Sequence, residues 1–129
     1  MDRPMVWTVL QVGLGGALGA MVRFLTGHAI LRVMGHGFPV AILTVNVVGS
    51  FAMGVIVVWL GRKGLTHLSP FLMTGVLGGF TTFSAFSLEA VTLYERGLFG
   101  QMAAYIGLSV GLSILALVLG LWVAREVWA

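Results

Sequence analysis

Cysteine is absent from this sequence and charged residues are scarce, and each absence excludes a class of function. Without cysteine the chain has no disulfides, no thiol chemistry and no thiolate metal site. Only 9% of the residues are charged, whereas a soluble domain has about a quarter. The net charge is +3 with no basic cluster, which argues against nucleic-acid binding. No nucleophile–base or metal-ligating constellation stands out, so the sequence does not predict an enzyme.

Most of the remaining residues are apolar. Hydrophobic residues make up 59% of the 129 residues, and the mean hydropathy is +1.07. We expect an all-α membrane protein, a single four-helix transmembrane domain over residues 1–129, with the first span retained and not cleaved as a signal peptide. The predicted spans are about Met5–Thr26, Val40–Leu60, Pro70–Tyr94 and Leu98–Val123. Between them, residues 27–39 are predicted to form a loop or short interfacial helix, and residues 61–64 a charged turn.

The stretch 75–89 in the third span is unusual for a membrane helix. Gly78 and Gly79 are poor in a helix interior, and we predict a break there. A break frees backbone carbonyls, each of which costs several kcal/mol in hydrocarbon unless protein, water or an ion satisfies it. Phe83 and Phe86 share one helix face. Hydroxyls alternate with these rings, at Thr81, Thr82, Ser84 and Ser87. This stretch is therefore the predicted functional centre.

Three further polar features lie in the other spans. Asn46 is deep in span two, where it could bond to a neighbouring helix or donate to a permeating anion. Tyr105, Ser109 and Ser113 recur every fourth residue, which predicts a wetted face or a partner helix. Arg23, near the end of span one, either extends to the interface or stands at the mouth of an anion pathway.

The distribution of basic residues does not determine on which side of the membrane the termini lie. One side would hold Arg3, Arg62, Lys63 and Arg125, and the other Arg23, Arg32 and Arg96. The positive-inside rule needs a clear excess, and four against three is not one. We therefore predict insertion in both orientations. Because four short helices cannot enclose a pore and bury every polar group, we also expect an oligomer.

Three motifs together resemble the Fluc (CrcB) family of small fluoride channels. They are residues 15–20 with Arg23, residues 45–51 around Asn46, and residues 78–89. The resemblance covers essentially the whole chain, and the third motif is the most specific. It implies a passive, fluoride-selective channel of the bacterial inner membrane, formed by an antiparallel dual-topology homodimer with two pores.

The resemblance also implies roles for individual residues. Phe83 and Phe86 would line the pores, with Asn46 donating to the anion and Arg23 lying toward a vestibule. The polar track would be extended by Ser84, Tyr105, Ser109 and Ser113. A central Na⁺ would be held by the backbone carbonyls of Gly78 and Thr81 from both subunits. Ala85 stands where the family usually has Thr, which removes one hydroxyl from the track.

Two alternatives come from other classes. One is a proton-coupled exporter resembling the small multidrug resistance family, which needs a carboxylate deep in the membrane. Glu89 is the only candidate for that role, and it lies toward the end of span three. The other is a purely structural membrane subunit, which leaves Asn46 and the hydroxyls unexplained.

Overall fold

The computed structural model describes residues 3–129, and side chains from residue 4 onward. All regular secondary structure within residues 3–129 is helical, and this part of the chain has no strand. The α-helices are α1 (Arg3–Met34), α2 (Val40–Lys63), α3 (Gly78–Phe80), α4 (Phe83–Glu95) and α5 (Phe99–Val127). A 3₁₀ turn (Thr66–Leu68) and a π-helix (Pro70–Leu77) lead into α3. We call Thr66–Glu95 the third span.

Four segments of the described chain are long and apolar enough to cross a membrane, which confirms the predicted number of spans. Their lengths are 31, 24, 30 and 29 residues, against the roughly 20 that a bilayer needs. Much of their outward surface is apolar: Leu14, Phe24 and Leu115 are each more than 60% exposed in the single chain. Such faces suit lipid or another membrane helix rather than water.

Two predicted connections turned out to be helical. α1 continues to Met34, so most of the segment predicted over residues 27–39 as a loop or short interfacial helix extends the first span, and only residues 35–39 form a connection. Likewise Arg62 and Lys63 form the last turn of α2, and the chain turns only at Gly64. Gly35 and Gly64 have φ of 79° and 67°, values that favour glycine and commonly end helices. The helices therefore stop at the glycines with positive φ, not where charged residues begin.

The predicted position of the break in the third span was wrong. Gly78 and Gly79 are helical, and the interruption lies at Thr81 and Thr82, whose backbones are extended (φ −85°, ψ 157° and φ −152°, ψ 118°). We call residues Thr81–Thr82 the break. Gly79 has a packing reason instead: a Cβ on it would lie 2.5 Å from the Gly16 carbonyl oxygen of α1.

Close glycine contacts also set the two main helix pairings. α1 packs along the first half of the third span, and α2 packs along α5. Where α2 crosses α5, a Cβ on Gly54 would lie 2.3 Å from the Leu117 carbonyl oxygen, and one on Gly120 would lie 2.3 Å from that of Phe51. α4 joins α5 through buried Leu93 and Tyr105. Small residues that let backbones touch are typical of membrane helix pairs.

Candidate functional site

Asn46 of α2 is bonded to the backbone of the break in both directions. Its Nδ2 donates to the Thr82 carbonyl at 3.0 Å, and its Oδ1 accepts from the Thr82 N–H at 2.8 Å. The side-chain amide thus pairs with Thr82 as a second peptide unit would. α2 comes this close because Gly49, one turn later, is packed against Thr81: a Cβ there would meet its Cγ2 at 2.3 Å.

The hydroxyl of Thr82 replaces a second backbone acceptor of the helix. Thr82 is the N-cap of α4, and its Oγ1 accepts from the Ala85 N–H at 3.1 Å. In a continuous α-helix the Gly78 carbonyl accepts from the Thr82 N–H, and the Thr81 carbonyl from the Ala85 N–H. Here the first N–H goes to Asn46 and the second to the Thr82 side chain. The two carbonyls predicted to face a cation therefore both lose their helical donor.

Arg23 is level with the break and not in a flanking loop. Its Nε donates to the Gly79 carbonyl at 3.1 Å, and the side chain is half-buried. Placing Arg23 here changes the charge count used for topology, because only Arg32 and Arg96 now flank the spans at that end. The opposite end has four basic residues in sequence, although the Arg3 side chain lies outside the described residues.

A groove of about 360 Å³ opens beside the break, between α2, α4 and α5. Polar and aromatic residues from all three elements and from the break line it: Asn46, Ser50, Thr81, Thr82, Phe83, Phe86, Ser109 and Ser113. Six of the ten predicted site residues, from three different spans, therefore meet at one place: Asn46, Thr81, Phe83, Phe86, Ser109 and Ser113. Arg23 and Ser84 do not line the groove.

Three aromatic rings run in series from the groove into the core. The centroids of Phe83 and Phe86 are 5.3 Å apart, as are those of Phe86 and Tyr105. Phe83 is 78% exposed in the single chain, whereas Tyr105 is fully buried. The edge of Phe38 packs on the other side of Tyr105, with centroids 5.7 Å apart. Phe86 is therefore held between neighbours, and Phe83 is free to face the groove or a partner.

The hydroxyls of α5 divide into two kinds. Tyr105 and Ser109 are buried, and neither Tyr105 Oη nor Ser109 Oγ has a hydrogen-bond partner within the described chain. Ser113 is half-buried on the groove wall. Along the predicted polar stripe, Tyr105 thus faces protein and Ser113 faces the groove, while Ser109 lies between them, buried but in the groove wall. On α4, Ser84 is exposed, with its Oγ 3.3 Å from Thr82 Oγ1.

Thr82 is the candidate site residue whose importance the sequence does not reveal. The sequence presents it as one of several hydroxyls, yet it is part of the break, caps α4 and pairs with Asn46. Threonine is a favoured N-cap residue, and this was the available signal. Glu89 is half-buried on α4 and does not line the groove, so the geometry gives no support to a carboxylate-based exporter.

The sequence profile described as CrcB-like protein, Camphor Resistance (CrcB), matches residues 10–121, which include every predicted site residue. The chain belongs to the CrcB family. The motifs around Arg23, Asn46 and residues 78–89 are all inside the matched range, so the resemblance drawn from those motifs is confirmed.

CrcB relatives are similar over 78–95% of this chain and over 98–100% of their own length. A relative from Ruegeria sp. (strain TM1040) is 66% identical over 124 residues, covering 95% of this chain and 98% of its own. One from Jannaschia sp. (strain CCS1) is 68% identical over 105 residues, covering 78% and 100%. A third, from Paracoccus denitrificans (strain Pd 1222), is 48% identical over 122 residues, covering 95% and 98%. Each of the three is named as a fluoride-specific ion channel. With its four spans, this chain is a multi-pass membrane protein.

Proposed function

We propose that this chain forms a passive, fluoride-selective channel that lets fluoride leave the bacterial cytoplasm across the inner membrane. The groove carries the proposal, because it brings hydrogen-bond donors and phenylalanine rings from three spans to the break. Full-length similarity to relatives named as fluoride-specific channels supports it. The proposal assigns transport and not catalysis to the groove.

The groove chemistry suits a small, strongly hydrated anion. A pore must replace the water around fluoride with other donors, and hydroxyls and the remaining Asn46 amide hydrogen supply them. Phenylalanine edges carry partial positive charge and attract an anion weakly, which allows it to leave again. A negative-inside potential drives an anion outward by about 2.3 kcal/mol per charge per 100 mV, so no coupling ion is required.

Flux from liposomes tests this mechanism. Purified protein should release fluoride when valinomycin and a K⁺ gradient set the voltage, at a rate that follows voltage and ignores an imposed pH gradient. Chloride, measured in parallel, should be retained, and protein-free liposomes give the background. Strict dependence on a proton gradient, or equal passage of chloride, would contradict the proposal.

The proposed assembly is an antiparallel homodimer with two pores. Its support is the exposed apolar surface of the spans, which a second subunit would cover; the flanking basic residues, now four against two, are less balanced than the sequence count and do not add to it. Arg62 Nη1 donates to the Trp128 carbonyl at 2.6 Å, so α2 and α5 end on the same side, as this topology requires. Phe83, so exposed in one chain, would then face the second subunit.

Terminal reporters test the orientation. Tags at either terminus should be found on both sides of the membrane in wild-type cells. Adding two lysines beside Lys63 should bias insertion and lower fluoride export, because an antiparallel pair needs both orientations. Wild-type protein in a single orientation would contradict the dual-topology part alone, leaving the flux result unaffected.

A structural Na⁺ on the two-fold axis completes the proposal. Its ligands would be the Gly78 and Thr81 carbonyls of both subunits, and the support is that both carbonyls lose their helical donors. Hard cations favour oxygen ligands. No group of three or more His, Cys, Asp or Glu side chains gathers anywhere in residues 3–129, so neutral carbonyls are the better candidates.

A further inference from the structure

We propose that Asn46 and Thr82 are positioning residues that hold the Gly78 and Thr81 carbonyls open for the cation. This inference rests on the proposed Na⁺ site and deepens it, because it assigns the site to two side chains outside the ligand set. Backbone carbonyls form such a site only if they do not accept helical hydrogen bonds. Other groups must therefore bind the N–H donors that would bond to these carbonyls in a continuous helix.

The first step concerns the Gly78 carbonyl. Its helical donor would be the Thr82 N–H, which instead donates to Asn46 Oδ1 at 2.8 Å. Asn46 Nδ2 holds the Thr82 carbonyl at 3.0 Å, so the amide grips this residue at both ends. A two-point grip fixes the orientation of the peptide units on either side of Thr82, which lies at φ −152° and ψ 118°. Without it, the Thr82 N–H would be free to bond back to Gly78.

The second step concerns the Thr81 carbonyl. Its helical donor would be the Ala85 N–H, which is taken by Thr82 Oγ1 at 3.1 Å. A threonine cap stabilises the start of α4 at this register and prevents the helix from extending backward through Thr81. Thr82 therefore frees both carbonyls. Its side chain takes the donor of the Thr81 carbonyl, and its own backbone N–H, bonded to Asn46, no longer donates to the Gly78 carbonyl.

The third step concerns the anion. Asn46 lines the groove and uses one of its two amide hydrogens on Thr82. The residue that opens the cation site is thus also part of the anion groove. Substitutions at Asn46 should therefore separate into two effects, one on Na⁺ and one on fluoride, according to which half of the amide they keep.

The experiment measures Na⁺-dependent stability of the full-length protein in detergent. Melting temperatures are compared in Na⁺ and in N-methyl-D-glucamine at equal ionic strength, following intrinsic tryptophan fluorescence. A ligand that binds only the folded protein raises its melting temperature, and we expect a rise of about 5 °C for the wild type. Fluoride flux is measured on the same preparations.

Four variants separate the steps. Asn46→Leu removes both amide bonds, and Thr82→Val removes the cap at nearly constant volume; both should lose most of the Na⁺ shift. Asn46→Asp keeps the acceptor for the Thr82 N–H but loses the donor to the Thr82 carbonyl, so it should keep more of the Na⁺ shift than Asn46→Leu but lose fluoride flux, since a carboxylate repels the anion. Thr44→Val, on the same helix but not in the groove lining, is the control and should match the wild type.

Three outcomes overturn the inference. If Asn46→Leu and Thr82→Val keep the full wild-type Na⁺ shift, the side chains do not hold the carbonyls open, although the cation site stands. If the wild type shows no Na⁺ shift while it passes fluoride, the cation site fails and this inference with it, but the channel stands. Should Asn46→Leu fail to fold, Thr82→Val decides, and a retained shift there counts against the proposal.

Discussion

The two halves of the third span are held in different ways. The first half, up to Phe80, is held by backbone contact: a Cβ on Gly19 of α1 would lie 2.0 Å from the Val76 carbonyl oxygen. The second half, α4, is held by side chains, with Phe86 packed on Tyr105 and Phe83 left 78% exposed. Backbone contacts tolerate no added atom, whereas ring contacts tolerate exchange. We therefore call the first half, residues 70–80, the fixed wall, because its backbone contacts leave no room for change. We call Phe83 and Phe86 of α4 the lining, because their ring contacts permit other side chains.

The largest expected effect comes from adding one methyl group that faces the fixed wall. Gly19→Ala would force Cβ against Val76, and we expect a loss of at least about 3 kcal/mol, enough to prevent recovery of folded protein. Size-exclusion profiles and thermal melts measure it. Gly107→Ala is the control, because its added Cβ meets no atom within 4 Å and alanine favours helices. If the Gly19→Ala variant folds and has the melting temperature of the wild type, backbone contact does not hold the first half of the span more rigidly than the second.

A large effect on flux, without loss of fold, should follow from changing the lining. Phe83→Ile and Phe86→Ile keep most of the apolar volume, so the protein should stay folded. We expect fluoride efflux to fall at least about tenfold, equivalent to about 1.4 kcal/mol in the barrier. Phe71→Ile makes the same exchange in the first half of the span and should leave flux unchanged. Unchanged flux in both lining variants would make these rings ordinary packing.

An intermediate effect is expected where the lining meets the core. Tyr105 Oη is buried without a hydrogen-bond partner in the part of the chain that the structure describes, and such a group costs about 1–3 kcal/mol. Tyr105→Phe should therefore raise the melting temperature while it slows fluoride flux, if the hydroxyl serves the anion. A lower melting temperature would show that the hydroxyl is bonded in the assembled protein, to the second subunit or to water.

The smallest effect is expected at Ser87 of α4. Its Oγ donates to the Phe83 carbonyl four residues earlier, a local bond with little net value. Ser87→Ala should change stability by less than about 0.5 kcal/mol and leave flux as in the wild type. A clear loss of flux would extend the lining to the next helical turn, which the groove does not reach.

Hydropathy was sufficient to predict the spans, because the cost of burying polar backbone in a bilayer leaves few alternatives to helices. The position of the break could not be found in the same way. Gly78 and Gly79 look like helix breakers, but Gly79 is there so that α1 can approach. Thr82 gave a local signal as a favoured N-cap residue, but its hydrogen bonds to Asn46 span 36 residues and cannot be seen in the sequence around the break.

The candidate site likewise has residues that the sequence predicts and contacts that only the folded chain shows. Family motifs were sufficient to name Asn46, Phe83 and Phe86, and the fold brings them to one groove. Arg23 was expected at an interface or vestibule, yet it is bonded to the Gly79 carbonyl. The Gly79 carbonyl lies in the last helical turn before the break. Local propensity cannot supply such a contact, since it depends on how two spans meet.

The break at Thr81–Thr82 also has an electrical consequence. It divides one membrane helix into two that follow each other head to tail, and each new end carries about half an elementary charge. The carbonyl end of the first piece is negative and already holds the Arg23 guanidinium. The amino end of α4 is positive and begins at the groove. A single interruption thus puts partial charges of opposite sign at two neighbouring places, in a chain of which only 9% of the residues are charged.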